Sequence, residues 1–181
     1  MNRNKIFEVV YEQIEGRIIG GHLDHQDEAQ EWISTFLASV KTYQKLLDMD
    51  WIVVIPSSNS SAQQISFFGE RKPWFITMNG GRMENNKFIQ IFAHELAHVY
   101  YEDDGIVPSQ IKNSVHWASI IELRADLKME EWGALRFKKD TYLYGGGWEE
   151  FAKSISKDEA LSFAKIGNTA EIITQYAHQY P

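Results

Sequence analysis

The stretch at residues 88–98, FIQIFAHELAH, decides the fold expected of this chain. It contains His94, Glu95 and His98 in an HExxH arrangement. On a helix, residues four apart lie one turn above each other on the same face, so both imidazoles can bind one zinc ion with Glu95 beside it. The apolar residues form a stripe on nearly the opposite side of the helix: Ile89, Phe92, Leu96 and Val99. The pattern therefore favours metal ligands over its alternative, two surface histidines four apart on a helix packed on one side.

A zinc ion needs a third protein ligand, and the sequence ELRAD at residues 122–126 offers one. Glu122 shares a helix face with mostly small residues, which would allow a neighbouring helix to approach closely. Asp126 lies one turn further on and is placed to accept the ring N–H of a zinc-binding histidine. We therefore predict His94, His98 and Glu122 as the ligands of one Zn²⁺ per chain, with Asp126 orienting a ligand ring. Taken singly, the two acidic residues would be interpreted as solvated helix charges.

The composition of the chain agrees with a metal site built from His and carboxylates. The 181 residues are 44% hydrophobic and 13% aromatic, which predicts a single globular domain over residues 1–181. The absence of cysteine excludes a disulfide framework, a thiolate zinc finger and a cysteine nucleophile. The formal net charge of -7 argues against direct binding of nucleic acid.

The N-terminal residues predict neither a secretory signal nor a membrane anchor. The first 17 residues, MNRNKIFEVVYEQIEGR, reach Glu8 before any long apolar run develops. No stretch approaches the roughly 18 apolar residues of a membrane span. We expect a cytoplasmic protein that does not interact with a membrane.

Apolar periodicity predicts two helices before the first strand. Isoleucine and valine recur every four residues within residues 2–19, and Gly20-Gly21 closes that helix. Asp24 or Asp27 could cap a second helix, whose apolar stripe continues to Leu47.

Three short apolar runs predict strands, at residues 51–55, 65–69 and 74–78. We expect them to form a small antiparallel meander. Helical periodicity returns at residues 84–101 and 114–137, and one or two further helices are expected within residues 148–180. The fold class is therefore α+β, in which a three-stranded antiparallel sheet packs on the HExxH helix and the glutamate helix, with additional N- and C-terminal helices.

HELAH followed by a second helix with ExxAD resembles the gluzincin zinc metallopeptidases. The short chain, the strand at residues 74–78 and the run at 88–98 look most like the ImmA/IrrE-type peptidases and the minimal gluzincins. The membrane-bound HtpX-type peptidases share the ExxAD element. The resemblance covers about residues 73–133 and implies hydrolysis of a protein substrate by a zinc-bound water that Glu95 activates. In ImmA/IrrE-type enzymes that substrate is often a transcriptional repressor, but this sequence shows no helix-turn-helix unit.

Two alternatives to a peptidase remain open at this stage. The first is a non-catalytic or latent gluzincin scaffold that binds a protein partner, and the second is metal-dependent hydrolysis of another kind of bond. The intact Glu95 favours catalysis, because a structural zinc site needs no general base. For an extended peptide substrate, residues 74–78 are a candidate sheet edge, and the alternative is an internal strand.

Other polar residues are less informative. Peptidases of this type usually have a His or Tyr that hydrogen-bonds the oxyanion, and four residues could serve: Tyr142, Tyr144, Tyr176 and His178. His116 is predicted to be a cap-region residue or a substrate contact. We interpret His22 and His25 as part of a solvated loop. Residues 102–105, EDDG, lack the pattern of a calcium loop and are predicted to be a solvated helix end.

Overall fold

The computed structural model describes residues 3–20, 23–57, 61–67, 70–79, 84–103, 106–134 and 155–181. Within these residues the chain has both helices and strands, as the sequence predicts. The elements follow in this order: α1 (Arg3–Ile14), β1 (Ile18–Ile19), α2 (Leu23–Ser39), α3 (Tyr43–Asp48), β2 (Trp51–Ser57), β3 (Ser61–Phe67), β4 (Glu70–Asn79), α4 (Asn85–Tyr101), α5 (Ser114–Glu131), α6 (Lys157–Ala164) and α7 (Thr169–Gln179).

The sheet is mixed, and the expected three-stranded antiparallel meander is wrong. Its four strands lie in the order β1-β2-β4-β3. β1 and β4 both run parallel to β2, and only β3 is antiparallel to its neighbour β4. The register of the parallel pair places Trp51 opposite Trp74 and Val53 opposite Ile76. All four side chains are buried, which explains why the two apolar strands pair with each other and the more polar sequence of β3, SAQQISF, lies at the edge.

The position of β4 also overturns the expectation that residues 74–78 form a sheet edge. β4 is hydrogen-bonded to β2 on one side and to β3 on the other. Its side chains at Trp74, Ile76 and Met78 are at most 5% exposed. Within the described sheet, the outer edge on this side belongs to β3.

Three helix boundaries near the N-terminus differ from the sequence prediction. The second predicted helix does not continue to Leu47, because α2 ends at Ser39 and Leu47 lies in the separate helix α3. α1 ends at Ile14, because Gly16 adopts a φ of 78° that interrupts the helix, and Ile18 and Ile19 form β1 instead. α2 already begins at Leu23, so Asp24 and Asp27 lie inside it rather than capping it. His25 is therefore a helix residue and not part of a loop.

Gly20 connects β1 to α2 at a point where only glycine fits. A Cβ at this position would lie 1.4 Å from the carbonyl oxygen of Ile55, and φ is 88°. Any other residue would collide with the β2 backbone, so the close approach of β1 to β2 depends on this glycine.

The described residues form two apolar clusters. The first joins α1, α2, the sheet and most of α4, and it includes the edge-to-face contacts of Phe92 with Trp51 and Phe36. The second joins α5 to α6 and α7. α5 contributes residues to both clusters. None of the described helices has the length and apolar character needed to cross a bilayer.

Candidate metal centre

α4 presents two histidine rings whose Nε2 atoms face each other. His94 and His98 lie one turn apart, and their Nε2 atoms are 3.2 Å apart. The residues are 1% and 7% exposed. α4 is buried on nearly all sides from Phe88 to Val99, so these imidazoles are enclosed rather than displayed on a helix surface.

α5 adds Glu122 to the same point. Its Oε2 is 3.0 Å from Nε2 of His94, and its Oε1 is 3.6 Å from Nε2 of His98. One donor atom from each of the three residues lies within 4.8 Å of the others, so His94, His98 and Glu122 form a group that could hold a metal ion. The Glu122 side chain, at 17% exposure, is the most accessible of the three.

The spacing of these donor atoms fits a small tetrahedral cation. Ligand atoms about 2.0–2.1 Å from a tetrahedral ion are roughly 3.3–3.4 Å apart. The two Nε2 atoms are 3.2 Å apart, and each lies 3.0 or 3.6 Å from one of the two carboxylate oxygens of Glu122, Oε2 for His94 and Oε1 for His98. These separations are close to that value, so the group could hold an ion.

The other nitrogen of each ring contacts a buried carboxylate. Nδ1 of His94 is 3.0 Å from Oδ1 of Asp126, and Nδ1 of His98 is 3.4 Å from Oδ2 of Asp103. Because an ionised carboxylate can only accept a hydrogen bond, these contacts favour the tautomer with the proton on Nδ1. The lone pair of each Nε2 then points towards the other ring and towards Glu122, an arrangement that a cation would stabilise.

The same contacts hold protons on the rings when no metal is bound. Burial by itself lowers the pKa of His98, but the hydrogen bonds to Asp103 and Glu122 outweigh it and raise that pKa to about 9. The pKa of His94 also lies well above its usual value, since its hydrogen bonds to Asp126 and Glu122 outweigh burial. The two histidines in turn lower the pKa of Glu122, against the effect of burial.

Glu95 lies on α4 beside the first ligand. It is 3% exposed, and its charge contributes to the raised pKa of His94. Glu95 is not among the three donors that converge.

Sequence reasoning missed Asp103 and Arg124. The expected solvated helix end is wrong at Asp103, whose side chain is 2% exposed and pairs with both His98 and Arg124. Arg124, which the sequence places on another side of the helix from Glu122, is fully buried. A signal was present in the sequence, because Asp103 follows His98 by five residues and Arg124 lies within the ELRAD motif, but helix periodicity gives no information on a residue beyond the helix end.

The remaining candidates lie away from the three donors or outside the described residues. His116 is buried, and its Nδ1 is 2.7 Å from the hydroxyl of Tyr176. Both residues therefore belong to the interior between α5 and α7. His178 is on the exposed side of α7. Tyr142, Tyr144 and His22 lie outside the described residues.

The chain was compared with models of known protein families, with curated proteins and with solved structures. None of them matches it. The interpretation of the site therefore depends on its own geometry.

Proposed function

We propose that this chain is a zinc-dependent metallopeptidase of the gluzincin type. One observation carries the proposal: two histidine Nε2 atoms and the carboxylate of Glu122 converge, while the Nδ1 atom of each ring is held by a separate carboxylate. A carboxylate–histidine pair of this kind orients a metal ligand and increases its basicity.

The donor set favours zinc over calcium and magnesium. Two imidazole nitrogens and one carboxylate are the ligands found in catalytic zinc sites, which leave a fourth position open. Ca²⁺ and Mg²⁺ prefer sites made entirely of oxygen donors. Within the part of the chain that the structure describes, three protein donors converge. Three ligands leave one position free for a reacting group, whereas structural zinc sites are usually closed by four protein ligands.

The residues of the chain then have distinct roles in hydrolysis. Zinc, when bound, supplies Lewis acidity: it lowers the pKa of water towards neutrality and polarises a carbonyl group. His94, His98 and Glu122 hold the ion, and Asp126 keeps the proton of His94 on Nδ1. Glu95 accepts the proton of the attacking water and passes it to the amine that leaves when the C–N bond breaks.

A peptide substrate would extend along the outer edge of β3. Within the described sheet this strand has one neighbour, β4, so its other side offers backbone N–H and C=O groups for an added strand. β3 also packs against α4, the helix that carries the two histidines. Backbone pairing would hold an extended chain with little demand on its sequence, which suits a protein substrate.

A cavity near the start of α4 could take a side chain of the substrate. Its volume is about 560 Å³, and its apolar wall includes Trp32, Phe36 and Ile89. Gln90, one helical turn before His94, is also part of its lining. A bulky apolar side chain would fit inside this cavity.

The second candidate is a non-catalytic scaffold in which the metal stabilises the fold. The near-complete burial of Glu95 and of both histidines favours it, because a closed site needs no access for substrate. Both candidates bind a metal ion, but only the peptidase cleaves peptide bonds.

Metal analysis combined with a cleavage assay separates these candidates. Wild type and Glu95→Gln would be compared for zinc content and for cleavage of a broad panel of peptides and proteins. The amide preserves the shape of the side chain but cannot accept the proton of water. We expect equal zinc and loss of cleavage in Glu95→Gln only, with Glu131→Gln, an exposed acid on α5, as the active control. Wild-type turnover in Glu95→Gln would contradict the general-base role, and no cleavage by wild type would favour the scaffold.

A further inference from the structure

The end of α4 brings Asp103 back towards the ring of His98. Glu102 adopts a left-handed φ of 57°, which is unfavourable for a residue with a Cβ. The N–H of Glu102 donates to the carbonyl of Val99 at 3.1 Å, and the N–H of Asp103 donates to that of His98 at 2.9 Å. This pair of bonds is a Schellman motif, which reverses the chain direction. The reversal is what places the Asp103 carboxylate beside a ring five residues earlier.

Arg124 holds the other oxygen of the same carboxylate. Its Nη2 donates to Oδ1 of Asp103, while Oδ2 of Asp103 faces Nδ1 of His98. The side chains of Arg124 and Asp103 are 0% and 2% exposed. The guanidinium also lies 4.3 Å from the ring centre of Tyr101, so its plane is fixed by packing as well as by hydrogen bonds.

The guanidinium reaches the turn between α6 and α7 with its second amino group. Nη1 of Arg124 donates to the carbonyl of Gly167 at 3.3 Å and to Oγ1 of Thr169 at 3.0 Å. The rigid guanidinium of Arg124 therefore links Asp103, next to the metal site, to a turn more than forty residues after Arg124. A lysine could not make these contacts together, because its charge is a single point.

We propose that Asp103 and Arg124 are positioning residues that fix the ring of His98 and couple the α6–α7 turn to the metal centre. This inference rests on the metal site of the proposed function, but not on peptidase activity. The Asp103 carboxylate keeps the proton on Nδ1 of His98 and aims Nε2 at the ion, and Arg124 keeps that carboxylate in place. His94 has equivalent support from Asp126, so each ring has its own carboxylate.

The test measures zinc affinity by competition with a chromophoric chelator. The variants are Asp103→Ala, Asp103→Asn, Arg124→Lys and the double variant Asp103→Ala/Arg124→Lys, all in the full chain. Glu102→Gln is the matched control, because it removes the exposed neighbouring carboxylate and one negative charge. Far-UV circular dichroism verifies that each variant is folded, and the visible spectrum of the Co²⁺ form reports the geometry of the ligands.

We expect Asp103→Ala to weaken zinc binding by roughly 10- to 100-fold and to change the Co²⁺ spectrum, with Glu102→Gln within about twofold of wild type. Arg124→Lys should cause a smaller loss. If Arg124 acts through Asp103, the double variant should bind zinc no more weakly than Asp103→Ala alone. Should Asp103→Ala fail to fold, the isosteric Asp103→Asn supplies the comparison.

Equal zinc affinity in Asp103→Ala and wild type would overturn the proposal. Fully additive losses of affinity in the double variant would overturn the role of Arg124. Absence of zinc binding by wild type would overturn both this proposal and the proposed function. A strong dependence of zinc affinity on Asp103, in a protein that cleaves nothing, would support the positioning role and contradict only the peptidase.

Discussion

The two histidines of α4 are supported from different parts of the chain. His94 contacts Asp126 on α5, the helix that also provides Glu122. His98 contacts Asp103, which belongs to the turn after its own helix and is held in place by Arg124. The first support is contained in one helix pair, whereas the second depends on a helix end, a buried arginine and the C-terminal helices. Each ring therefore contacts a carboxylate, but the contact at His98 depends on more of the tertiary structure than the contact at His94.

Loss of a metal ligand should have the largest effect and should not distinguish the two rings. His94→Ala, His98→Ala and Glu122→Ala each leave only two protein donors, so each should lose most of its zinc at equimolar metal. Zinc content after gel filtration, measured by plasma emission spectrometry, checks this. Full zinc content in Glu122→Ala would mean that another carboxylate completes the site.

The free energy of unfolding of the metal-free protein should depend on pH, because both histidines are paired with carboxylates. The pKa of His98 is about 9 in the folded chain against an ordinary value of 6.5, so its contribution to folding is complete below pH 6.5 and is lost as pH rises through 9. We expect the free energy of unfolding without metal to fall over this window, on the order of 1–3 kcal/mol. Urea denaturation at several pH values measures it.

Two controls sharpen that measurement. His98→Gln should reduce the loss of stability between pH 6.5 and 9 without abolishing it, because one of the two titrating rings is gone and the pKa of His94 is still raised. Zinc should reverse the trend, since metal binding requires neutral rings and therefore strengthens as pH rises. A metal-free protein whose stability increases over this range would contradict the contacts of both rings with carboxylates.

Asp126→Ala compares the two supports with each other. The contact of Asp126 with His94 is 3.0 Å, shorter than the 3.4 Å contact of Asp103 with His98. We therefore expect Asp126→Ala to weaken zinc by roughly 10- to 100-fold, at least as much as Asp103→Ala. The chelator competition assay measures both. Wild-type affinity in Asp126→Ala would mean that the His94 ring needs no carboxylate.

The smallest effect should come from the pair Lys128–Glu131 on α5, which is not among the three donors. Lys128 donates to Glu131 at 2.6 Å, but the Glu131 side chain is 62% exposed. Exposed pairs contribute about 0–1 kcal/mol to stability. Glu131→Ala should therefore leave zinc affinity unchanged and lower the melting temperature slightly, as thermal denaturation would show. A large loss of zinc in this variant would mean that charge alone, and not contact, governs the site.

The helix bearing the HExxH motif could be predicted from sequence because its signals are local. The sequence predicts a helix over residues 84–101, and α4 spans Asn85–Tyr101. The spacing of His94 and His98 follows from helix geometry alone. Glu122 and Asp126 were predicted from their own spacing on the next helix, and the structure brings both to His94.

Sheet topology and the support of His98 could not be predicted in the same way. Whether β2 pairs with β3 or with β4 depends on which strands bury both faces, and neighbours in sequence need not be neighbours in the sheet. Asp103 looked solvated because it follows a helix end with other acids. Its burial depends on the left-handed turn at Glu102 and on Arg124, which is 21 residues away.

The most direct test of the metal centre is anomalous diffraction from crystals of the zinc-loaded protein, recorded above and below the zinc absorption edge. We expect one strong peak per chain between Nε2 of His94, Nε2 of His98 and the carboxylate of Glu122, about 2.0–2.2 Å from each donor atom. Both Nδ1 atoms should remain in contact with Asp126 and Asp103. A peak elsewhere in the chain, or zinc bound through Nδ1 of either ring, would contradict the account.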